Sequence, residues 1–334
     1  MRELKIGKND AGQRLDKFLQ KAMPNMPPSF LYKSIRLKKI KCNRKRTTPS
    51  QILLEGDSLQ LFVKEEFFPE PAGRKAAFSL ANIQPRLSIL YEDENILLLN
   101  KRPGVTVHED RNGLQNTLLL HIQAYLYQKG EYQPENEQSF APALCNRIDR
   151  NTGGIVIAAK NAEALRVMDE KIRNREVHKF YLCAVHGIPE KQEDTKKAYL
   201  LKDEMSNKVC IYENHPPKGA KEILTRYRVI ATHGGDALLE IELLTGRTHQ
   251  IRAHLSYLGY PLWGDGKYGI NREDRSRGYK YQALYSYRLV FDFFPEPTCL
   301  DALRGREFSI PKEDIYFTEP FLKSKSDLRN RMQK

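Results

Sequence analysis

The run Ile155-Val156-Ile157-Ala158-Ala159 constrains the fold more than any other stretch of this 334-residue chain. It is short, apolar and rich in β-branched residues, and it follows the pair Gly153-Gly154. Such a run reads as a buried strand, which requires a covered sheet around it. The segment leading into it, Cys145-Asn146-Arg147-Ile148-Asp149-Arg150-Asn151-Thr152, puts one carboxylate in a loop at the strand entrance. Arg147 lies two residues before Asp149 and Arg150 immediately after it. Nearby cations favour the charged form of a carboxylate. An ionised Asp suits nucleophilic attack and is a poor general acid. The segment alone fits a structural Asp–Arg ion pair equally well, because such pairs also perturb titration.

A second segment bears on that choice. Ala237 to Leu243 alternates like a strand, and Leu244-Thr245-Gly246-Arg247-Thr248-His249-Gln250-Ile251-Arg252 follows it. Thr-Gly-Arg-Thr reads as a turn that opens a helix, so Arg247 is expected at a strand-to-helix corner, where side chains project from the scaffold. Ile251, His254, Leu255 and Leu258 recur at helical spacing and form the expected core face. His249 and His254 are five residues apart. That is not the facing spacing of a helical metal pair, so neither reads as a metal ligand.

Composition narrows the classes. No run of 18 apolar residues exists, so no membrane span is expected. Met1-Arg-Glu-Leu-Lys5 is not followed by an apolar stretch, so no secretory signal is expected. The five cysteines are scattered without a Cys-x-x-Cys, which argues against zinc and disulfides and fits a reducing cytoplasm. Charge is unevenly placed: residues 1–64 hold 15 Lys/Arg against 5 Asp/Glu, ten of the chain's thirteen net positive charges. Arg36 to Arg46 alone carries seven cations in eleven residues, a density that usually meets phosphate. Leu37, Ile40 and Ile52-Leu53-Leu54 are interleaved with it and argue against disorder. Gly264-Asp265-Gly266-Lys267-Tyr268-Gly269 satisfies Gly-x-Gly-x-x-Gly but neither leaves a strand nor opens a helix, so it is not read as a dinucleotide site.

Taken together, these segments resemble the RluA/RluD-type family of RNA pseudouridine synthases over about residues 86–295. Asn100-Lys101-Arg102-Pro103-Gly104, Arg147-Ile148-Asp149-Arg150-Asn151-Thr152-Gly153-Gly154, Lys179-Phe180-Tyr181 and Thr245-Gly246-Arg247-Thr248-His249-Gln250-Ile251-Arg252 look like its ordered motifs. Two positions depart from the family pattern: Asn146 stands where a His is usual, and Gly153-Gly154 where Ser-Gly is usual. The resemblance implies a mixed α+β fold on a large, mostly antiparallel sheet, with no metal and no organic cofactor. It puts the nucleophile on Asp149 and a stacking role on Tyr181, which would also assist proton removal. It implies that Arg247 pairs with Asp149, and it makes Arg147 a wedge for the space left by an extruded base.

The N-terminal piece has its own pattern. Arg14 to Leu19 begins a helix, Pro24, Pro27 and Pro28 break it, and Ser29 is expected to cap a second helix over Phe30–Lys38. Ile40–Asn43 and Ser58–Val63 alternate like strands, with Gly56-Asp57 as a turn. This resembles the small α/β RNA-binding domain named after ribosomal protein S-four. Its expected RNA contacts are Arg14, Lys17, Lys33, Arg36, Lys38, Lys39, Lys41, Arg44 and Lys45. The boundaries expected are an RNA-binding domain at 1–64, a linker at 65–85, a catalytic domain at 86–320 and a polar tail at 321–334. The function implied is isomerisation of uridines in RNA, with large-subunit ribosomal RNA favoured over transfer RNA, by a cytoplasmic monomer without a membrane partner. The rivals are a non-enzymatic RNA-binding or ribosome-assembly protein, and a glycoside hydrolase. The latter would need two flanking carboxylates where only one stands in a motif.

Overall fold

The computed structural model describes residues 1–68, 79–108, 116–203, 208–269 and 271–322. Residues 69–78 of the expected linker and the tail from 323 onward lie outside the described residues.

The first 68 residues build a small sheet of their own, in the order β1 (Arg2–Lys5), β4 (Ser58–Leu61), β2 (Ile40–Cys42), β3 (Lys45–Arg46). Two helices, α1 (Leu15–Ala22) and α2 (Pro28–Arg36), pack on it through Leu15, Phe18, Leu19, Leu31 and Ile35. Ser29 does not cap α2: the N-cap is Pro27, and Pro28 occupies the first turn, where a missing N–H costs nothing. Asn43 and Arg44 both adopt left-handed backbone, which closes the β2–β3 hairpin in two residues.

The rest of the chain carries an 11-stranded sheet. Its main path runs β11 (Lys208–Tyr212), β10 (Glu193–Asp203), β12 (Lys221–His233), β13 (Asp236–Leu243), β9 (Val177–Val185), β14 (Leu284–Phe291), β8 (Gly153–Ala159), β6 (Ile96–Lys101), β5 (Ile89–Glu92). β7 (Ala143–Leu144) pairs with β8, and β15 (Glu307–Ser309) with β14. All pairs are antiparallel except β14 with β8. Both faces are covered. Ile155, Ile157 and Ala159 enter one apolar cluster, whereas Val156 and Ala158 enter the other with α3 (Leu118–Gln128). This is why the strand reads as an unbroken apolar run: every residue of β8 is buried. α4 (Ala162–Arg173) packs on the same strand.

Both glycines at the start of β8 are required by close approach. A Cβ on Gly154, whose φ is +116°, would lie 2.2 Å from the Ser286 carbonyl oxygen. One on Gly153 would lie 2.4 Å from the Tyr285 ring. Glycine at position 153 therefore accompanies a tyrosine packed directly over it.

The N-terminal domain touches the loop between α3 and β7 through polar groups. Asn9 Nδ2 donates to Glu137 Oε1 at 2.7 Å, Ser139 Oγ to Asp10 Oδ1 at 2.6 Å, and Gln13 Nε2 to Ser139 Oγ at 2.9 Å. Among the described residues no helix is long and apolar enough to cross a membrane.

Candidate active site

The loop between β7 and β8 carries Asp149, and a lysine fixes it from below. Lys101, at the end of β6, is 2 % exposed and donates from Nζ to the carbonyls of Arg102, Val105 and Arg150 at 2.9–3.1 Å. One ammonium thus ties the loop to the segment after β6. Burial pulls its pKa down to about 7, and the nearby Asp149 only partly opposes that. Asn146 Oδ1 accepts from Ile157 N at 2.8 Å, which pins the other side of the loop.

The second segment forms the facing wall. Gln250 organises its turn: Oε1 accepts from Arg247 N and Thr245 Oγ1, each at 3.0 Å, and Nε2 donates to Leu224 O at 3.0 Å and Thr225 Oγ1 at 3.1 Å. His249 adopts left-handed backbone, so helix α5 (Gln250–Tyr257) starts only at Gln250. That late start decides which arginine meets the carboxylate. Arg252 Nη1 donates to Asp149 Oδ2 at 2.7 Å, while Arg247 is exposed at the rim and makes no ion pair among the described residues. The pairing expected for Arg247 therefore belongs to Arg252. Arg247 sits in the turn itself, open to solvent, whereas Arg252 lies on the helix face turned toward Asp149.

Arg252 is itself held. Its Nε and Nη2 donate to Asp265 Oδ2 and Oδ1 at 2.8 and 2.9 Å, a two-pronged pair in which the arginine is 7 % and the aspartate 1 % exposed. Burial opposes the guanidinium's charge, but Asp265 and Asp149 outweigh it and hold its pKa above the ordinary arginine range. Asp265 in turn accepts from Lys267 N and Tyr268 N. The Gly264–Gly269 segment is thus a carboxylate-bearing turn, with Gly264 in left-handed backbone against the Tyr281 carbonyl.

A cavity of about 1160 Å³ opens over Asp149. Tyr181 of β9 lines it at 5 % exposure, and burial, aided by Asp149, pushes its phenol up to about 12. Tyr181 therefore presents a protonated phenol and an aromatic face to the cavity. Arg147, Arg150, Lys202 and Arg247 are exposed along its lining, and Lys179 is half-buried. Asp149 is the one carboxylate among the described lining residues. A second cavity, of about 660 Å³ near Lys8 and Asn9, holds Lys129 and Lys160, both already paired with Glu92 and Glu131.

The expected N-terminal contacts separate into two groups. Lys17, Lys33, Arg36, Lys38, Lys39, Arg44 and Lys45 are exposed. Arg14 is committed to the buried Asp16 through Nε and Nη2 at 3.1 and 2.8 Å, and Lys41 is half-buried with Nζ over the Phe62 ring. Among the described residues no cluster of three or more His, Cys, Asp or Glu could hold a metal. His254 is 1 % exposed and hydrogen-bonded through Nδ1 to Thr225 Oγ1 at 3.0 Å, a core position.

One carboxylate, held by a buried arginine beside an aromatic wall and ringed by cations, defines a cavity suited to an enzyme that acts on an anionic polymer. Comparison with known proteins agrees. The family model for RNA pseudouridylate synthase matches residues 95–257. The chain is similar to a ribosomal large subunit pseudouridine synthase C of Vibrio vulnificus, at 33% identity over 80% of each chain. It is also similar to an uncharacterized RNA pseudouridine synthase of Mycoplasma pneumoniae, at 34% identity over 83% of this chain and 84% of that one. The solved structure of human RNA pseudouridylate synthase domain containing 1 shares the fold, with a TM-score of 0.54 and 23% identity over 72% of this chain and 90% of that chain. The chain belongs to the RNA pseudouridylate synthase family and is an RNA pseudouridine synthase.

Proposed function

We propose that this enzyme isomerises uridines of large-subunit ribosomal RNA, as a monomer in the cytoplasm, with Asp149 as its nucleophile. The reaction breaks the bond between ribose and the uracil nitrogen, turns the base and rejoins it through a ring carbon, with no redox change and no net hydrolysis. It needs a carboxylate that stays ionised, a pocket that retains the detached base and a means of extracting that base from its stack. The observation that carries the reading is the ordered chain Asp265–Arg252–Asp149 at the floor of the cavity. Arg252 supplies a fixed positive charge against Asp149 and holds its Oδ2. Tyr181 is the surface on which uracil stacks, and Arg147, exposed at the mouth, fills the space left in the helix.

The choice of RNA rests on two supports. The Vibrio relative is named for the ribosomal large subunit. The N-terminal sheet domain, which we read as S-four-like, exposes Lys17, Lys33, Arg36, Lys38, Lys39, Arg44 and Lys45 among its cations, which suits a long phosphate backbone. Pseudouridine mapping of total RNA from a strain lacking this chain tests the proposal. Sites missing from large-subunit ribosomal RNA and restored by the intact gene support it. Sites missing only from transfer RNA would overturn the choice of substrate.

A further inference from the structure

His249 faces Asp149 across the cavity. Its Nδ1 lies 2.9 Å from the Tyr268 hydroxyl, and that hydroxyl already accepts from Val209 N, an N–H of the edge strand β11, at 3.0 Å. The phenol has one proton to give, and with Nδ1 as its acceptor the neutral ring carries its proton on Nε2. Burial holds the imidazole below the ordinary histidine range, Arg252 and Lys267 also oppose its protonation, and Asp149 and Asp265 favour it. Nε2 lies 3.9 Å from Asp149 Oδ2, too far for a hydrogen bond between them.

The gap selects what fits. Two hydrogen bonds of about 2.8 Å that meet near a right angle at one oxygen span the observed 3.9 Å. That oxygen must accept from Nε2–H and donate to a carboxylate. A phosphate oxygen has no proton and is repelled by Asp149. A uracil carbonyl accepts only, and a uracil N–H donates only. A hydroxyl does both. In a nucleotide within a chain the 3′ and 5′ oxygens are esterified, so the one ribose hydroxyl left is the 2′-hydroxyl, the group that separates RNA from DNA. We infer that His249, with its Nδ1 on the Tyr268 hydroxyl, binds the 2′-hydroxyl of the target nucleotide between Nε2–H and Asp149 and makes the site specific for ribose.

This rests on the proposed role of Asp149, and the test separates the two. Affinities of the full-length chain are measured for two RNA oligonucleotides that span the mapped target uridine and differ only in a 2′-deoxyribose at that nucleotide. His249→Asn tolerates the left-handed backbone and keeps a group near Tyr268 but cannot reach Asp149, while His249→Gln places a donor near Nε2. The deoxy substitution should weaken wild-type binding about tenfold, and His249→Asn binding no more than about threefold, with His249→Gln between them. Equal deoxy penalties in wild type and His249→Asn would overturn the inference, and would mean that Asp149 alone, or a water, reads the sugar. If the wild type bound the all-ribose oligonucleotide but formed no pseudouridine, the functional reading would fail instead, and the affinity comparison would still decide the role of His249.

Discussion

Exchange of Arg252 for lysine is the perturbation with the most to say about how Asp149 is held. The guanidinium makes two hydrogen bonds to Asp265, at 2.8 and 2.9 Å, and a third to Asp149, at 2.7 Å. A lysine keeps the charge but has one nitrogen, and cannot grip Asp265 with two prongs while reaching Asp149. Asp265 is 1 % exposed, so the ammonium should stay with it, and the hydrogen bond to Asp149 is the one that breaks. A hydrogen bond between charged groups is worth about 1.5–3 kcal/mol, which corresponds to a rate loss of about 10- to 150-fold if the interaction persists in the transition state. The assay is a single-turnover rate at saturating enzyme, measured beside RNA affinity and normalised to the folded fraction by circular dichroism. Arg247→Lys is the companion variant. Arg247 is exposed and makes no ion pair among the described residues, so its exchange should alter the rate by no more than about threefold. A wild-type rate in Arg252→Lys, or an equal loss in Arg247→Lys, would refute the assignment.

Three further outcomes follow from the same geometry. His254 is held near pH 4 by burial, against an ordinary value of 6.5. The unfolded chain thus binds more protons between those values, and stability should fall as pH drops from 6.5 to 4, by at most about 3 kcal/mol; thermal melts across that window should show the decline, and His254→Gln should lessen it. Gly154→Ala forces a Cβ to within 2.2 Å of the Ser286 carbonyl at a φ of +116°, and should cost about 4 kcal/mol or more, read as a melting temperature lowered by about 10 °C. Removal of residues 1–68 should leave the large sheet folded by circular dichroism, because the N-terminal domain meets the loop between α3 and β7 through polar hydrogen bonds rather than a shared apolar core, while affinity for ribosomal RNA falls and its salt dependence flattens; an unchanged salt slope would exclude the N-terminal cations from binding.

Much of the site can be read along the chain because its parts are local. The buried strand after Gly153-Gly154, the loop that holds Asp149 and the turn at Thr245–Thr248 each depend on residues within a few positions of one another. The partner of Asp149 does not. Arg252 is 103 residues away in sequence, and its alignment depends on the backbone of His249, which delays the helix. Without that delay Arg247, at the corner, is the natural choice. Asp265 stands within a glycine-rich motif that its sequence context excludes as a nucleotide loop, and its role exists only once Arg252 lies against it. Lys101 gives no chemical signal, since its three acceptors are carbonyl oxygens that every residue carries. The α2 cap falls at Pro27 rather than Ser29, because Ser is a common cap but Pro28 in the first turn outweighs it here.

The measurement closest to the central claim is pseudouridine formation by Asp149→Asn. The substitution keeps the size of the side chain and its hydrogen bond from Arg252, and removes the negative charge that attacks. Ribosomal RNA from a strain lacking the chain serves as substrate, with single-turnover conversion and affinity measured on the same preparation and the asparagine checked for deamidation. The account predicts binding within about threefold of wild type and no pseudouridine above background. Conversion by intact Asp149→Asn at a rate near that of the wild type would contradict it.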